Sequence, residues 1–265
     1  MKPEDEFYVG YTNKMGRKTK RTITVFMIVV SLVVLIGVFA FSYFQKPFVN
    51  STFELNKVST LRGVYHENPY PMLRVQVAEN SYKNILLLGF GKSSVNPFIR
   101  KLMQDEGNLH GKTLSLEGNL IYYNGKTLIQ ITNDEKVSLV NSSITTLPEN
   151  KSQGNTILTG EIIDPKCYFG VMKPGLGKIH RSCAIRCISG GIPPVLATTD
   201  QQGQTSYYLL TNLEGEPLNQ SVLPFIGKPA LLKGAIEKSE DWNLLKTDIT
   251  QIEILNNRSK IYTSK

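Results

Sequence analysis

GKTLSLEGNLIYYNGKTLIQIT, residues Gly111–Thr132, is the stretch from which the fold class of this chain can be predicted. Two runs in which apolar and polar residues alternate are joined by Asn124-Gly125. A period of two is typical of strands with one buried face, and Asn-Gly is the strongest short signal for a two-residue hairpin turn. The stretch therefore predicts an antiparallel β-hairpin.

The glycine spacing of this stretch recurs in the second half of the chain. Gly118 follows Gly111 by seven positions. Gly234 follows Gly227 by the same distance, and this later pair also precedes a predicted strand pair. A third glycine lies near the start of the opening strand of each half. The matching glycines are Gly63, Gly111 and Gly118 in the first half and Gly160, Gly227 and Gly234 in the second. Such self-similarity predicts a duplicated fold, with chance matching as the alternative.

The remaining pattern is also mainly β. Short runs rich in β-branched and apolar residues, bounded by turn residues, predict strands at 61–65, 72–77 and 84–89, and the apolar spacing in Asn96–Glu106 predicts a short helix. Short strands in this number, with a helix before the last hairpin, are typical of a five-stranded barrel of the OB type. We predict two tandem OB-like β-barrels, each with one short helix, over residues 58–147 and 155–258. A single larger β-sandwich is the alternative.

A membrane anchor precedes the barrels. Thr22–Gln45 carries no charge and is long enough to cross a bilayer as a helix, whereas a cleavable signal peptide has a shorter apolar core and a small-residue cleavage site. Five basic residues lie just before this segment and few follow it, so the positive-inside rule predicts an N-terminus in the cytoplasm. The prediction is a cytoplasmic tail (1–21), a single transmembrane helix (22–45), a linker (46–57) and two domains outside the plasma or inner membrane, in the periplasm of a bacterium.

The net charge of +8 does not indicate a nucleic-acid partner. Six basic and three acidic side chains in residues 1–21 carry +3 of it, and the remaining +5 is spread along the exported body. Nucleic-acid binding requires basic residues gathered into a patch or arm. We therefore predict no nucleic-acid partner.

All three cysteines of the chain and one of its three histidines fall within Thr159–Val195. The run HRSCAIRCIS (180–189) predicts a short helix ended by Gly190-Gly191, on which His180, Cys183 and Cys187 share one face. Cys167 follows the first predicted strand of the second barrel. A Cys₃His set of this kind is typical of a Zn²⁺ site and also suits Cu(I). Asp164 could support a ligand or act in catalysis, but the expected role is that of a polar loop residue.

Two other interpretations of the cysteines remain open. Cysteines four residues apart on a helix are too far apart for a disulfide, so a structural disulfide would join Cys167 to Cys183 or Cys187 and leave one thiol over. Thiol redox chemistry is the third interpretation, although no C-x-x-C motif is present. The spacing H-x₂-C-x₃-C also lacks the C-x₂-C pair of common zinc sites.

The Cys/His segment coincides with a length difference between the two halves. Gly63 and Gly111 are 48 residues apart, whereas Gly160 and Gly227 are 67 residues apart. The second half therefore carries 19 additional residues between equivalent glycines. We predict that the Cys/His segment elaborates a loop of an otherwise plain scaffold, where function is commonly carried.

The segment also resembles a known kind of domain. Its pattern, G-x-I-x-D-x-x-C followed by H-x₂-C-A-x₂-C-I-x₂-G-x-P, resembles small exported bacterial domains of uncharacterised function over about 100 residues. The resemblance implies a recurring exported module and no particular reaction.

The sequence thus predicts a membrane-anchored exported accessory subunit with a metal-binding or redox-sensitive site at Cys167, His180, Cys183 and Cys187. We expect Zn or Cu as the metal and a membrane or periplasmic redox complex as the partner. The alternative is a non-catalytic interaction or scaffold module whose cysteines form a structural disulfide. No G-x-S-x-G, H-E-x-x-H or paired-carboxylate motif indicates an enzyme.

Overall fold

The computed structural model describes residues 15–44 and 52–256, and the chain divides into two compact units after Val49. Residues 1–14, which form most of the predicted cytoplasmic tail, lie outside the described residues. The same holds for residues 45–51, at the start of the predicted linker, and for residues 257–265 at the C-terminus.

The first unit contains one helix, α1 (Arg17–Phe44). It begins five residues before the predicted start, because the lysines and arginines that precede the apolar segment are good helix formers. Its 28 residues correspond to a length of about 42 Å, and no side chain of the helix is buried within the protein. Among the described residues it is the one helix long and apolar enough to cross a membrane.

The second unit begins with a closed five-stranded barrel. Its elements are β1 (Thr52–Phe53), β2 (Ser59–His66), β3 (Met72–Ala78), β4 (Ser81–Leu88), α2 (Asn96–Glu106), β5 (Thr113–Tyr123), β6 (Lys126–Gln130) and β7 (Val137–Asn141). β2, β3 and β4 form an antiparallel meander, β4 pairs in parallel with β6, and β5 pairs with both β6 and β2 to close the barrel. The predicted hairpin is confirmed, since positive φ angles at Asn124 and Gly125 form the turn between β5 and β6.

A second barrel with the same strand order follows. Its elements are β8 (Lys151–Ile163), a π-helical turn (Cys167–Val171), α3 (Arg181–Ser189), β9 (Val195–Thr199), β10 (Thr205–Thr211), β11 (Pro229–Ser239), β12 (Trp242–Thr247) and β13 (Glu253–Ile254). β10 pairs in parallel with β12, and β11 pairs with β12 and β8 to close the barrel. The prediction of two tandem OB-like barrels, each with a short helix, is confirmed, and the described residues do not form one β-sandwich.

The two barrels differ in where the helix lies. In the first barrel α2 connects the third and fourth barrel strands, as expected. In the second barrel a 3₁₀ turn, Leu223–Phe225, occupies that place, and α3 lies between the first and second strands. That connection spans residues 164–194, whereas the equivalent connection in the first barrel spans only residues 67–71. The additional residues predicted from the glycine spacing therefore enter between the first two strands.

The strand glycines have equivalent positions in the two barrels. At each of them a Cβ atom would overlap a backbone carbonyl oxygen of the adjacent strand. The pairs are Gly63 with Arg74 and Gly118 with Gln130 in the first barrel, and Gly160 with Ala197 and Gly234 with Lys246 in the second. Glycine allows the first and fourth strands to approach their neighbours closely where each strand pairs on both sides. This shared steric role favours duplication over chance matching.

Gly118→Ala and Gly234→Ala are each expected to lower the free energy of unfolding by about 3 kcal/mol, because the carbonyl that the new methyl group meets belongs to a paired backbone and cannot move aside. Urea unfolding followed by circular dichroism measures both variants. The neighbouring Lys233→Ala is the control. It removes an exposed ion pair with Glu253 and should change stability by less than about 1 kcal/mol. A loss confined to one of the two glycine variants would contradict equivalent roles.

Each barrel has a hydrophobic core of its own, and a further buried cluster joins the two. Residues from both, including Ile121 and Leu128 of the first and Val195 and Leu209 of the second, belong to the same buried cluster. Polar contacts also join them. The Tyr70 hydroxyl donates a 2.5 Å hydrogen bond to the carbonyl of Leu210. The two barrels therefore belong to one compact unit, which carries the segment between β8 and β9.

Candidate metal centre

A buried turn places Cys167 directly after β8. The Asp164 carboxylate oxygen Oδ1 accepts hydrogen bonds from the backbone N–H groups of Lys166 and Cys167, at 2.9 and 3.4 Å. A carboxylate that binds the backbone two residues further on is a common way to open a turn. The π-helical turn then begins at Cys167, whose side chain is 7% exposed.

Helix α3 carries the other three predicted ligands. His180 occupies the N-cap position, and Cys183 and Cys187 lie on the helix itself. The helix ends at Gly190, whose N–H donates to the carbonyl of Arg186, and the positive φ of Gly191 turns the chain away. The predicted helix over 180–189 is therefore confirmed to within one residue. Its first turn faces the turn that contains Cys167.

The structure brings the predicted residues together in two groups that share Cys167. The ligand atoms of Cys167, His180 and Cys183 all lie within 4.8 Å of one another, and so do those of Asp164, Cys167 and Cys187. All three cysteines belong to the described part of the chain and are free thiols. A metal ion could be held by such a group.

The division into two groups follows from helix geometry. His180 and Cys187 share a face, but seven residues separate them by about 10.5 Å along the helix axis. Ligands of one zinc ion lie about 2.0–2.3 Å from it, so no two of them are more than about 4.6 Å apart. The residue spacing shows that His180 and Cys187 share a helix face, but the rise along the helix axis places them too far apart for one ion. Only Cys167, which projects from another segment, is close to both ends of the helix face.

Asp164 and Lys166 are residues whose importance the sequence analysis missed. Asp164 was interpreted as a polar loop residue, yet its side chain is 0% exposed, and Lys166 is also buried. The one signal in the sequence was the position of Asp164, because an aspartate carboxylate can accept a hydrogen bond from the backbone N–H two residues later. Charged side chains are almost never fully buried unless they are paired or bind a metal.

Two polar atoms of the site are buried and have no hydrogen-bond partner among the described residues. They are Oδ2 of Asp164 and Nε2 of His180. An unsatisfied buried polar atom costs about 1–3 kcal/mol, so such atoms are rare and call for an explanation. A cation bound near Cys167 would satisfy a lone pair on one of the two residues, His180 or Asp164, according to which group holds it. The donor set of thiols, imidazole and carboxylate is therefore suited to a metal ion.

The electrostatic surroundings favour neutral side chains when no cation is bound. A hydrogen bond with Cys187, burial and the charge of Asp164 together raise the pKa of the Cys167 thiol far above its ordinary value. Burial lowers the pKa of His180, which Asp164 opposes. The lowered pKa favours the neutral imidazole, which is the form that binds a metal. A metal would need to displace the Cys167 proton, since the thiolate is the form that binds metals.

The first barrel covers one side of the site. The loop Gly89–Ser94, between β4 and α2, accepts two hydrogen bonds from the Lys166 ammonium, at the carbonyls of Gly89 (2.9 Å) and Gly91 (2.6 Å). The N–H of Ser94 donates to the carbonyl of Gly190, at the end of α3. Both ends of the ligand-bearing segment are therefore held by the first barrel.

No protein-family model matches this chain, and no curated protein is similar enough to it to count as a relative. The chemistry of the site is accordingly inferred from its own geometry.

Proposed function

We propose that this chain is a membrane-anchored, exported accessory protein whose second barrel binds one metal ion through Cys167, His180 and Cys183. The observation that carries the proposal is the buried Nε2 of His180, which has no hydrogen-bond partner among the described residues, on a side chain that has a ligand atom within 4.8 Å of the sulfurs of Cys167 and Cys183. Two thiolates and one imidazole suit Zn²⁺ or Cu(I), the metals that soft sulfur ligands select.

The accessibility of the three ligands favours a site with one open side. Cys167 and His180 are buried, whereas Cys183 is only partly buried. Three protein ligands leave a position for a fourth ligand on Zn²⁺, and catalytic or exchangeable zinc sites commonly keep such a position open. A water molecule or a group from a partner protein could fill it.

The setting of the protein is proposed from α1 and its flanking residues. Basic residues before the apolar segment favour an N-terminus in the cytoplasm and barrels outside the plasma or inner membrane, in a periplasm where there is one. A metal-binding body held at that surface suits an accessory role beside a membrane-embedded or exported redox complex. The resemblance of the Cys/His segment to small exported bacterial domains agrees with this location.

Elemental analysis and a free-thiol count on the full-length protein in detergent test the proposal. Protein purified without chelators is expected to contain about one Zn or Cu per chain, as a single site of this kind requires. Alkylation of the thiols should be slower in the metal-loaded protein than after the metal is removed. Protein with no metal and one free thiol per chain, which still binds neither Zn²⁺ nor Cu(I) after reduction with a thiol, would reject the proposal and support the alternative, a module stapled by a structural disulfide.

Metal binding is expected to stabilise the second unit. A ligand that binds only the folded state at about 100 times its Kd raises the free energy of unfolding by about 2.7 kcal/mol. Thermal unfolding of metal-free protein should therefore move to higher temperature when the metal identified above is added. Cys183→Ser, which removes a proposed ligand, should show no such increase. An equal increase in both proteins would mean that the metal binds elsewhere.

A further inference from the structure

Cys187 is a buried thiol that the proposed metal site does not use. Its side chain is 1% exposed, and its Sγ atom lies within 4.8 Å of Cys167 Sγ and of an Asp164 carboxylate oxygen. Cys167 is thus placed between two sulfur neighbours, Cys183 on the metal side and Cys187 on the other.

The surroundings of Cys187 are not those of a cysteine that only fills space. A structural buried cysteine is normally surrounded by apolar groups and is chemically inert. Here the Asp164 carboxylate lies beside the thiol, and the buried Lys166 ammonium is near enough to both Cys167 and Cys187 to interact with them electrostatically. A polar environment of this kind can support the conversion of the two thiols into a disulfide.

We propose that Cys167 and Cys187 form a reversible disulfide whose formation releases the metal. The proposal rests on the metal site proposed above and adds a means of regulating it. Cys167 is the one proposed ligand that does not belong to α3 or its N-cap, so the ion cannot be enclosed without it. A sulfur that is bonded to Cys187 is no longer a thiolate and loses its affinity for the metal.

The reaction balances with a peroxide as the oxidant. The Cys167 thiolate attacks one oxygen of hydrogen peroxide, which breaks the O–O bond, forms a sulfenic acid and releases hydroxide. The Cys187 thiol then attacks the sulfenic sulfur, which forms the S–S bond. The thiol proton and the sulfenic hydroxyl leave together as water. Two electrons pass from the sulfurs to the peroxide, and the metal leaves as a cation. A thiol reductant reverses the step.

Hydrogen peroxide treatment of the full-length protein tests this proposal, with Cys187→Ser as the matched variant. Metal release is followed with a chromophoric indicator in wild type and variant, each loaded with the metal found by elemental analysis. The disulfide is located by mass spectrometry after digestion with trypsin. Cleavage after Arg181 and Arg186 places Cys167, Cys183 and Cys187 in three separate peptides.

In the wild type we expect release of the bound metal, a Cys167–Cys187 peptide pair, and rebinding of the metal after reduction. In Cys187→Ser we expect normal metal content, which shows that the variant is folded, and loss of most of the rebinding after reduction, because a sulfenic acid that Cys187 does not capture is oxidised further to the irreversible sulfinic acid. Equal rebinding of the metal in both proteins after reduction, or a Cys167–Cys183 pair in place of Cys167–Cys187, would overturn the proposal.

The same treatment of metal-free wild type separates this proposal from the proposed function. If the wild type binds no metal, the metal site is rejected, and the metal-free sample still decides whether the two cysteines are a redox pair. A Cys167–Cys187 disulfide that forms there and is reversed by a thiol reductant supports the pair. Its absence overturns it.

Discussion

Cys167→Ser is expected to abolish stoichiometric metal binding, although it changes a single atom of a small side chain. Cys167 supplies the one proposed ligand from the segment after β8, and its sulfur lies within 4.8 Å of the ligand atoms of both His180 and Cys183. Loss of a residue that only supports a ligand costs about 10–100-fold in metal affinity, so loss of a ligand itself should exceed that range. Competition with a chromophoric chelator measures the affinity.

The matched control for this prediction is Cys187→Ser. It makes the same chemical change at another buried cysteine of the same cluster, but at a residue that the proposed site does not use. Metal content should remain at the wild-type value, with an affinity change of less than about tenfold, below the range for supporting residues. If Cys167→Ser retains its metal, Cys167 is not a ligand. If both variants lose it, all three cysteines contribute, as the sequence analysis predicted.

Trp242→Ala is expected to cause the largest loss of stability among single substitutions at the barrel interface. Trp242 begins β12 of the second barrel, is fully buried, and donates a 2.9 Å hydrogen bond from its indole Nε1 to the carbonyl of Asn84 in the first barrel. Its ring also lies 6.3 Å from that of Phe169, in the turn that begins at Cys167. Truncation of a buried tryptophan costs about 3–5 kcal/mol.

Urea unfolding followed by circular dichroism is the appropriate measurement, because Trp242 is the only tryptophan of the chain and its removal abolishes tryptophan fluorescence. Phe90→Ala is the control, since this aromatic side chain is 64% exposed and should contribute within about 0.5 kcal/mol. A loss below about 1 kcal/mol for Trp242→Ala would show that the interface contributes little to stability. The variant should also bind metal less tightly if the interface supports the site.

The parts of this fold that could be predicted from sequence depend on neighbouring residues or on steric requirements. The β5–β6 hairpin is marked by Asn124-Gly125, and α2 occupies the predicted residues Asn96–Glu106. The glycine spacing could be recognised because only glycine tolerates the close strand contacts at positions such as Gly118 and Gly234. Each of these signals lies within a few residues of the feature that it predicts.

The features that sequence did not reveal depend on contacts between distant segments. The burial of Asp164 follows from the packing of the segment after β8 beneath α3, and the partners of Lys166 lie 77 and 75 residues earlier in the chain. The division of the four predicted ligands into two groups depends on where Cys167 lies along the helix axis. A pattern of residue types along one helix cannot specify that position.

The loop Gly89–Ser94 also bears on how two similar barrels came to have different roles. If one ancestral barrel was copied, only the second copy acquired the cysteines, while the first kept the plain connection between its opening strands. The first copy nevertheless supplies the carbonyl oxygens that receive the Lys166 ammonium and a backbone N–H that holds the end of α3. The duplicates thus complement each other: one carries the reactive groups, and the other provides part of the wall that encloses them. Neither copy alone would constitute the site.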